Sequence, residues 1–169
     1  MSIGTNPESS SASNRSLGLR HLLPIFLWIA LVALLSSNLV HVNDPLLFLA
    51  KIARRFLPDF AEPALLNRLN LALWKLGHVA AYFVLSLLLW RLWRRGEEAF
   101  WRWSWALRTL AVGLIFAGLN ELFQLFAPPR TARATDIALD AAGILLALAL
   151  LRRQARRASV PAATDQEAS

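Results

Sequence analysis

The sequence predicts an all-α membrane protein, a bundle of four transmembrane helices with an interfacial helix between the first two. Three observations predict it. Of the 169 residues, 56% are hydrophobic, whereas soluble domains average ~45–50%. From His21 to Asn43 there is no Asp, Glu, Lys or Arg, a run long enough for the ~30 Å hydrocarbon core at ~1.5 Å per helical residue. The net charge of +7 gathers at the ends of apolar runs and in the tails rather than along one surface, which is how a membrane protein distributes its arginines.

The same arithmetic excludes other classes. A basic chain first suggests nucleic acid, but charges that flank spans orient a protein in a bilayer, so no nucleic-acid partner is expected and the lipid bilayer is. Seven Trp and nine Phe do not belong to a disordered basic tail. The absence of Cys removes a disulfide framework, a Cys-ligated zinc site and a Cys nucleophile.

The elements follow in chain order. Residues 1–20 form a Ser-rich tail and 153–169 a basic, then acidic one; both are expected to be disordered, flanking a membrane domain at 21–152. The first span, 21–43, is too long for a signal-peptide core and is followed by no small-residue cleavage site, so it reads as a retained anchor. Over Pro45–Leu57, Phe48, Ile52 and Phe56 fall on one side and Lys51, Arg54 and Arg55 on another, the pattern of a helix lying in the interface. Leu69–Trp90 is the second span, interrupted by Lys75 and His78. Leu107–Phe126 is the third, with Arg108 at its start and Glu121 near its end, and Pro128-Pro129 stops it. Ile137–Leu151 is the fourth and the shortest, with Asp140 inside it. Trp93, Trp101, Trp103 and Trp105 fall in the second loop, where an aromatic belt sits.

Basic residues set the topology. The N-tail, second loop and C-tail carry eleven of them, against seven on the opposite side. The positive-inside rule therefore puts both termini in the cytoplasm.

Ionisable side chains within spans are costly and mark candidate functional positions. Lys75, His78 and Tyr82 stand at i, i+3 and i+7 on one face of the second span. Asn120, Glu121 and Gln124 close the third. Asp136, Asp140 and Gly143 are at i, i+4 and i+7 on the fourth. With Arg130 in the preceding turn, these stripes fall at one membrane level, on the outer side, where their charges nearly balance. Bland roles stand beside the functional ones: Thr135 as a helix N-cap, Asp136 as an anion facing the helix dipole, Lys75 snorkelling to headgroups, and Gly143 serving close packing. Glu121 follows twelve uncharged residues and needs a partner, for which Arg130, Lys75 or His78 would serve. No Glu-x-x-His or His-x-x-x-His spacing supports a metal site, no Gly-rich loop supports a phosphate site, and no G-x-S-x-G elbow is present. No cofactor is called for, and no residue pattern sets an oligomeric state.

At these residues the chain resembles the VanZ-like family of small bacterial membrane proteins. The resemblance rests on KLGHVAAYFVLSLLL (Lys75–Leu89) and NELFQLFAPPRTARATDIALDAAG (Asn120–Gly143), with LSS at Leu35–Ser37 adding weakly. It covers Lys75, His78, Tyr82, Glu121, Gln124, Arg130, Asp136 and Gly143. The chain departs from the family pattern at Trp74, where an acid is common, at Asn120 in place of an acid, at Pro129 in place of Gly, and at Asp140 in place of Asn. The resemblance implies a multi-pass protein of the bacterial cytoplasmic membrane. It also implies a connection to glycopeptide susceptibility, because the founding member is associated with low-level teicoplanin resistance.

Three functions are open at this point. The favoured one is a non-catalytic protein whose outward-facing polar pocket, made from Lys75, His78, Tyr82, Asn120, Glu121, Gln124, Arg130, Asp136 and Asp140, binds an envelope lipid or a glycopeptide. The second is an intramembrane enzyme for a lipid-linked cell-wall or phospholipid substrate, with His78 and Glu121 as acid and base and Arg130 on a phosphate. The third is a structural protein in which the buried charges fix helix register.

Overall fold

A computed structural model describes the chain over residues 7–36, at 55, and over 63–95, 97, 99–126 and 134–159. Four helices carry these residues: α1 (Pro7–Ser36), α2 (Pro63–Trp93), α3 (Trp103–Leu125) and α4 (Ala134–Ala158). All four are long and apolar enough to cross a membrane, and no strand is found among the described residues. The interfacial helix expected over 45–57 and the turn bearing Arg130 lie outside the described residues, apart from helical Arg55.

Helix boundaries overrun the apolar stretches in ways that local chemistry explains. α2 opens on Pro63, whose missing N–H costs nothing at a first helical position. It runs past Trp90 to Trp93, with Arg91 in its last turn. α3 starts at Trp103 rather than Leu107, so Trp103 and Trp105 belong to its first turn and not to the loop. α4 has Asp136 in its first turn and Arg156 and Arg157 in its last, complementing the helix dipole at both ends. That basic end is helical as far as Ala158, beyond the end of the apolar run at Leu151. α1 likewise begins at Pro7, ahead of its charge-free run.

The exterior is apolar, unlike that of a soluble bundle. Leu, Ile and Phe side chains crowd the exterior: Leu23, Phe26 and Leu27 on α1, Leu73 and Leu76 on α2, Ile115 and Phe123 on α3, Leu145 and Leu146 on α4. The interior combines a cluster of large apolar side chains, among them Ile25, Leu85, Leu89, Trp90, Trp105 and Ile144, with small and polar residues such as Ser86, Thr109, Ala117, Asp140 and Ala147 that are completely buried. Lipid tails solvate leucine as well as a core would, so spans associate through close contact and polar pairs.

α2 is the central helix and touches the other three; its longest interface is with α4. α4 also packs on α3, while α1 lies against α2 and the edge of α3 and, among the described residues, makes no contact with α4. Gly143 fixes the α2–α4 approach: a Cβ there would collide with the carbonyl oxygen of Val79 and lie 3.1 Å from the backbone nitrogen of Phe83. Gly113 of α3 does the same for Ile144, whose Cδ1 lies 2.6 Å from an added Cβ. The contacts of His78 with Asp140 and of Val79 and Phe83 with Gly143 advance together along both chains, so α2 and α4 run parallel. α3, joined to α2 by a short loop, runs antiparallel between them.

Candidate functional site

That arrangement places the start of α2, the end of α3 and the start of α4 at one end of the bundle. Each contributes an inward polar stripe there. On α2, His78 is largely buried and Tyr82 is 3% exposed. On α3, Glu121 and Gln124 are buried and Asn120 is half-buried. On α4, Asp136 is buried and Asp140 fully so.

Asp140 is the centre of the cluster. Its Oδ1 lies 2.8 Å from Nδ1 of His78, joining the two parallel helices through a hydrogen bond that is also an ion pair when the imidazole is charged. The second oxygen, Oδ2, is buried with no hydrogen-bond partner among the described residues. Asp136 and Glu121 lie within Coulombic range of His78, and Glu121 and Asp140 within range of Tyr82. Three carboxylates therefore act on the His78 imidazole, and two of them, Asp140 and Glu121, on the Tyr82 phenol. Burying such groups costs several kcal/mol each unless they are paired or hydrogen-bonded. Trp74 covers the outer face of His78, with ring centroids 5.3 Å apart.

Not every expected residue joins. Lys75 is exposed, so the α2 stripe divides between an outward lysine and inward His78 and Tyr82. Arg130 lies outside the described residues. Thr135 is the second residue of α4 rather than its N-cap, and its hydroxyl donates to Oδ1 of Asp136 at 3.3 Å. The partner of His78 is Asp140, whereas the sequence offered His78 as one of three candidate partners for Glu121. Gly143 serves packing, as expected.

The sequence reading missed other polar groups in the interior. Ser86, one turn beyond Tyr82, donates to the Tyr82 carbonyl at 2.8 Å. Thr109 continues the α3 stripe inward through Gly113 and Ala117 to Glu121, all buried. Four-residue steps were the available signal for both. Trp28 of α1 donates its indole N–H to the Ala81 carbonyl of α2 at 2.9 Å, and nothing in the spacing marks that contact.

An apolar cleft of about 120 Å³ opens beside the cluster, between α1, α2 and α3. Trp28, Val32, Phe116 and Phe123 line it, while Tyr82 and Asn120 supply its polar edge. The amide nitrogens of Asn120 and Gln124 are buried without hydrogen-bond partners among the described residues. Among those residues no three His, Asp or Glu side chains come together closely enough to hold a metal ion.

No curated protein and no solved structure is significantly similar to the chain. A family model described as VanZ/LLP1 matches residues 10–155, which include most of every helix and the whole polar cluster. With four helices able to cross a membrane, the chain is a multi-pass membrane protein that belongs to the VanZ/LLP1 family.

Proposed function

We propose that this protein binds an envelope amphiphile at the outer end of its bundle and thereby alters susceptibility to acylated glycopeptides of the teicoplanin type. It sits in the bacterial cytoplasmic membrane with both termini inside. The observation that carries the proposal is the side-by-side placement of two chemistries: a buried His78–Asp140 pair with Glu121 and Asp136 in range, and an apolar cleft edged by Tyr82 and Asn120. An acyl chain suits the cleft wall of Trp28, Val32 and Phe123, and a polar or cationic group suits the carboxylates. Arg130, between α3 and α4 in the sequence, is the cation that this reading pairs with those carboxylates. Exchanging Glu121→Gln and Arg130→Met tests this. Both variants should reach the membrane at wild-type levels, lose binding of teicoplanin to the purified protein, and shift drug susceptibility. Normal expression with unchanged binding and susceptibility would contradict it.

One observation favours a second reading. A carboxylate hydrogen-bonded to an imidazole is the arrangement that orients histidine for proton transfer, and Asp140 holds His78 in this way. An intramembrane enzyme acting on a lipid-linked substrate would use His78 as acid or base. His78→Gln would then abolish turnover of an envelope lipid while binding persists. Identical envelope lipids in a deletion strain and its parent would contradict this reading.

A further inference from the structure

The opposite end of the bundle carries chemistry that the proposed function does not use. There the α2–α3 connection meets the last turns of α4. Trp90 stacks on Trp101 with centroids 4.8 Å apart and meets Trp105 edge-on at 5.6 Å. Trp101 meets Trp103 at 5.7 Å, and the Arg152 guanidinium lies 4.7 Å over the Trp103 ring. Beside this aromatic ladder is an open cleft of about 380 Å³, lined by Leu87, Trp90, Arg91, Arg94 and Glu97.

The lining is rich in donors. Glu97 is the single acid lining it among the described residues, and both carboxylate oxygens are taken by Arg102, at 3.2 and 2.7 Å. Arg91 and Arg94 therefore leave the cleft a positive excess. Arg94 is held in place over Phe100, with its guanidinium carbon 4.3 Å from the ring centre. Trp90 is 3% exposed, and its indole N–H is buried with no hydrogen-bond partner among the described residues. Next to it, α3 begins without a side-chain cap on Arg102 and without an acid in its first turn. The first backbone N–H groups of a helix are orphan donors and attract anions. Two guanidinium groups thus line the cleft, while the one acid that lines it among the described residues is already bonded to Arg102.

A phosphate group meets those requirements. Its source follows from where the cleft lies. Leu87, Trp90 and Arg91 belong to the last turns of a membrane-crossing segment, Leu71–Trp93. The cleft therefore sits where hydrocarbon gives way to headgroups, and indole rings at that depth are characteristic of the interface. We infer that this cleft is a binding site for the phosphodiester headgroup of an anionic phospholipid, held by Arg91 and Arg94. The site is separate from the carboxylate cluster and independent of what that cluster binds.

The test is lipid retention. Full-length protein is exchanged into detergent with equal amounts of phosphatidylglycerol and phosphatidylethanolamine of matched acyl chains, and bound lipid is counted by native mass spectrometry. Wild type should favour phosphatidylglycerol by about tenfold. The Arg91→Gln/Arg94→Gln variant should lose that preference, and Arg91→Lys/Arg94→Lys, which keeps the charge and loses the planar fork, should retain part of it. Arg156→Gln/Arg157→Gln, with the same charge removed from the last turn of α4, should behave as wild type. Equal retention of the two lipids by wild type overturns the inference. So does an equal loss in the α2 and α4 double variants, which would mark general surface charge. Saturable binding of inorganic phosphate through Arg91 and Arg94 without lipid preference overturns the lipid assignment.

Discussion

His78 and Asp140 are joined across two parallel spans at 2.8 Å, one turn from the point where Gly143 lets the backbones of α2 and α4 touch. Gly143 is three residues after Asp140, and Val79 directly follows His78. The glycine contact therefore sets the distance that the polar pair bridges. Packing and polar chemistry in this bundle are one feature seen from two sides.

Gly143→Ala should accordingly destabilise the protein by ~1–3 kcal/mol, because the added methyl meets backbone that cannot move without separating the helices. Gly118 on α3 has nothing within 4 Å of an added Cβ. There Gly→Ala should be neutral or stabilise by up to ~1 kcal/mol through helix propensity. Unfolding free energies measured by steric trapping in detergent check the contrast.

Asp140→Leu removes the acceptor and leaves His78 without the partner seen here, at a cost of ~1–3 kcal/mol. Asp140→Asn restores the amide of the family pattern and can still accept from Nδ1, so it should cost distinctly less. The His78→Leu/Asp140→Leu double variant should cost less than the sum of the two single changes, with a coupling of ~0.5–3 kcal/mol. A double-mutant cycle in one detergent gives this number.

Trp28→Phe keeps an aromatic side chain but deletes the N–H donated to Ala81 along with the pyrrole half of the indole. The expected loss from the hydrogen bond alone is ~0.5–1.5 kcal/mol. It should fall on the docking of α1, since that helix, among the described residues, touches α2 and α3 but not α4. Faster proteolysis within α1, with the rest of the bundle intact, is the observable.

The Glu97–Arg102 pair gives the opposite expectation. Its side chains are 40% and 48% exposed, and exposed pairs contribute ~0–1 kcal/mol. Glu97→Gln should leave the melting temperature within a degree or two of wild type, on the order of what such a small term produces.

The four spans, and the polar positions within them, were legible in the sequence because lipid leaves little choice. Water-free surroundings demand long apolar runs, and they make each internal charge conspicuous. Of the polar stripes read from spacing, His78, Tyr82, Glu121 and Asp140 are turned inward. Spacing did not reveal which carboxylate faces His78, since that depends on helix rotation and on the Gly143 contact, a matter of backbone proximity across 62 residues of chain separation. Lys75 shares its face by periodicity, yet it sits one turn nearer the end of the bundle, where a long stem reaches the surface. Boundaries at Trp103 and Ala158 were missed for a related reason: tryptophan and arginine are tolerated in spans at the interface, so helices continue past the apolar residues that announce them.

Site-directed photo-crosslinking tests the central claim most directly, and a chain without cysteine admits single-cysteine labelling at chosen positions. A photoreactive group at Val32 or Phe123 faces the cleft beside the cluster. One at Leu146 faces outward on α4, which among the described residues does not contact α1. With teicoplanin as the probe, the account predicts crosslinks at Val32 and Phe123 well above those at Leu146, lost on Glu121→Gln and on removal of the acyl chain from the drug. Equal crosslinking at all three positions, or crosslinks indifferent to Glu121→Gln, would contradict it.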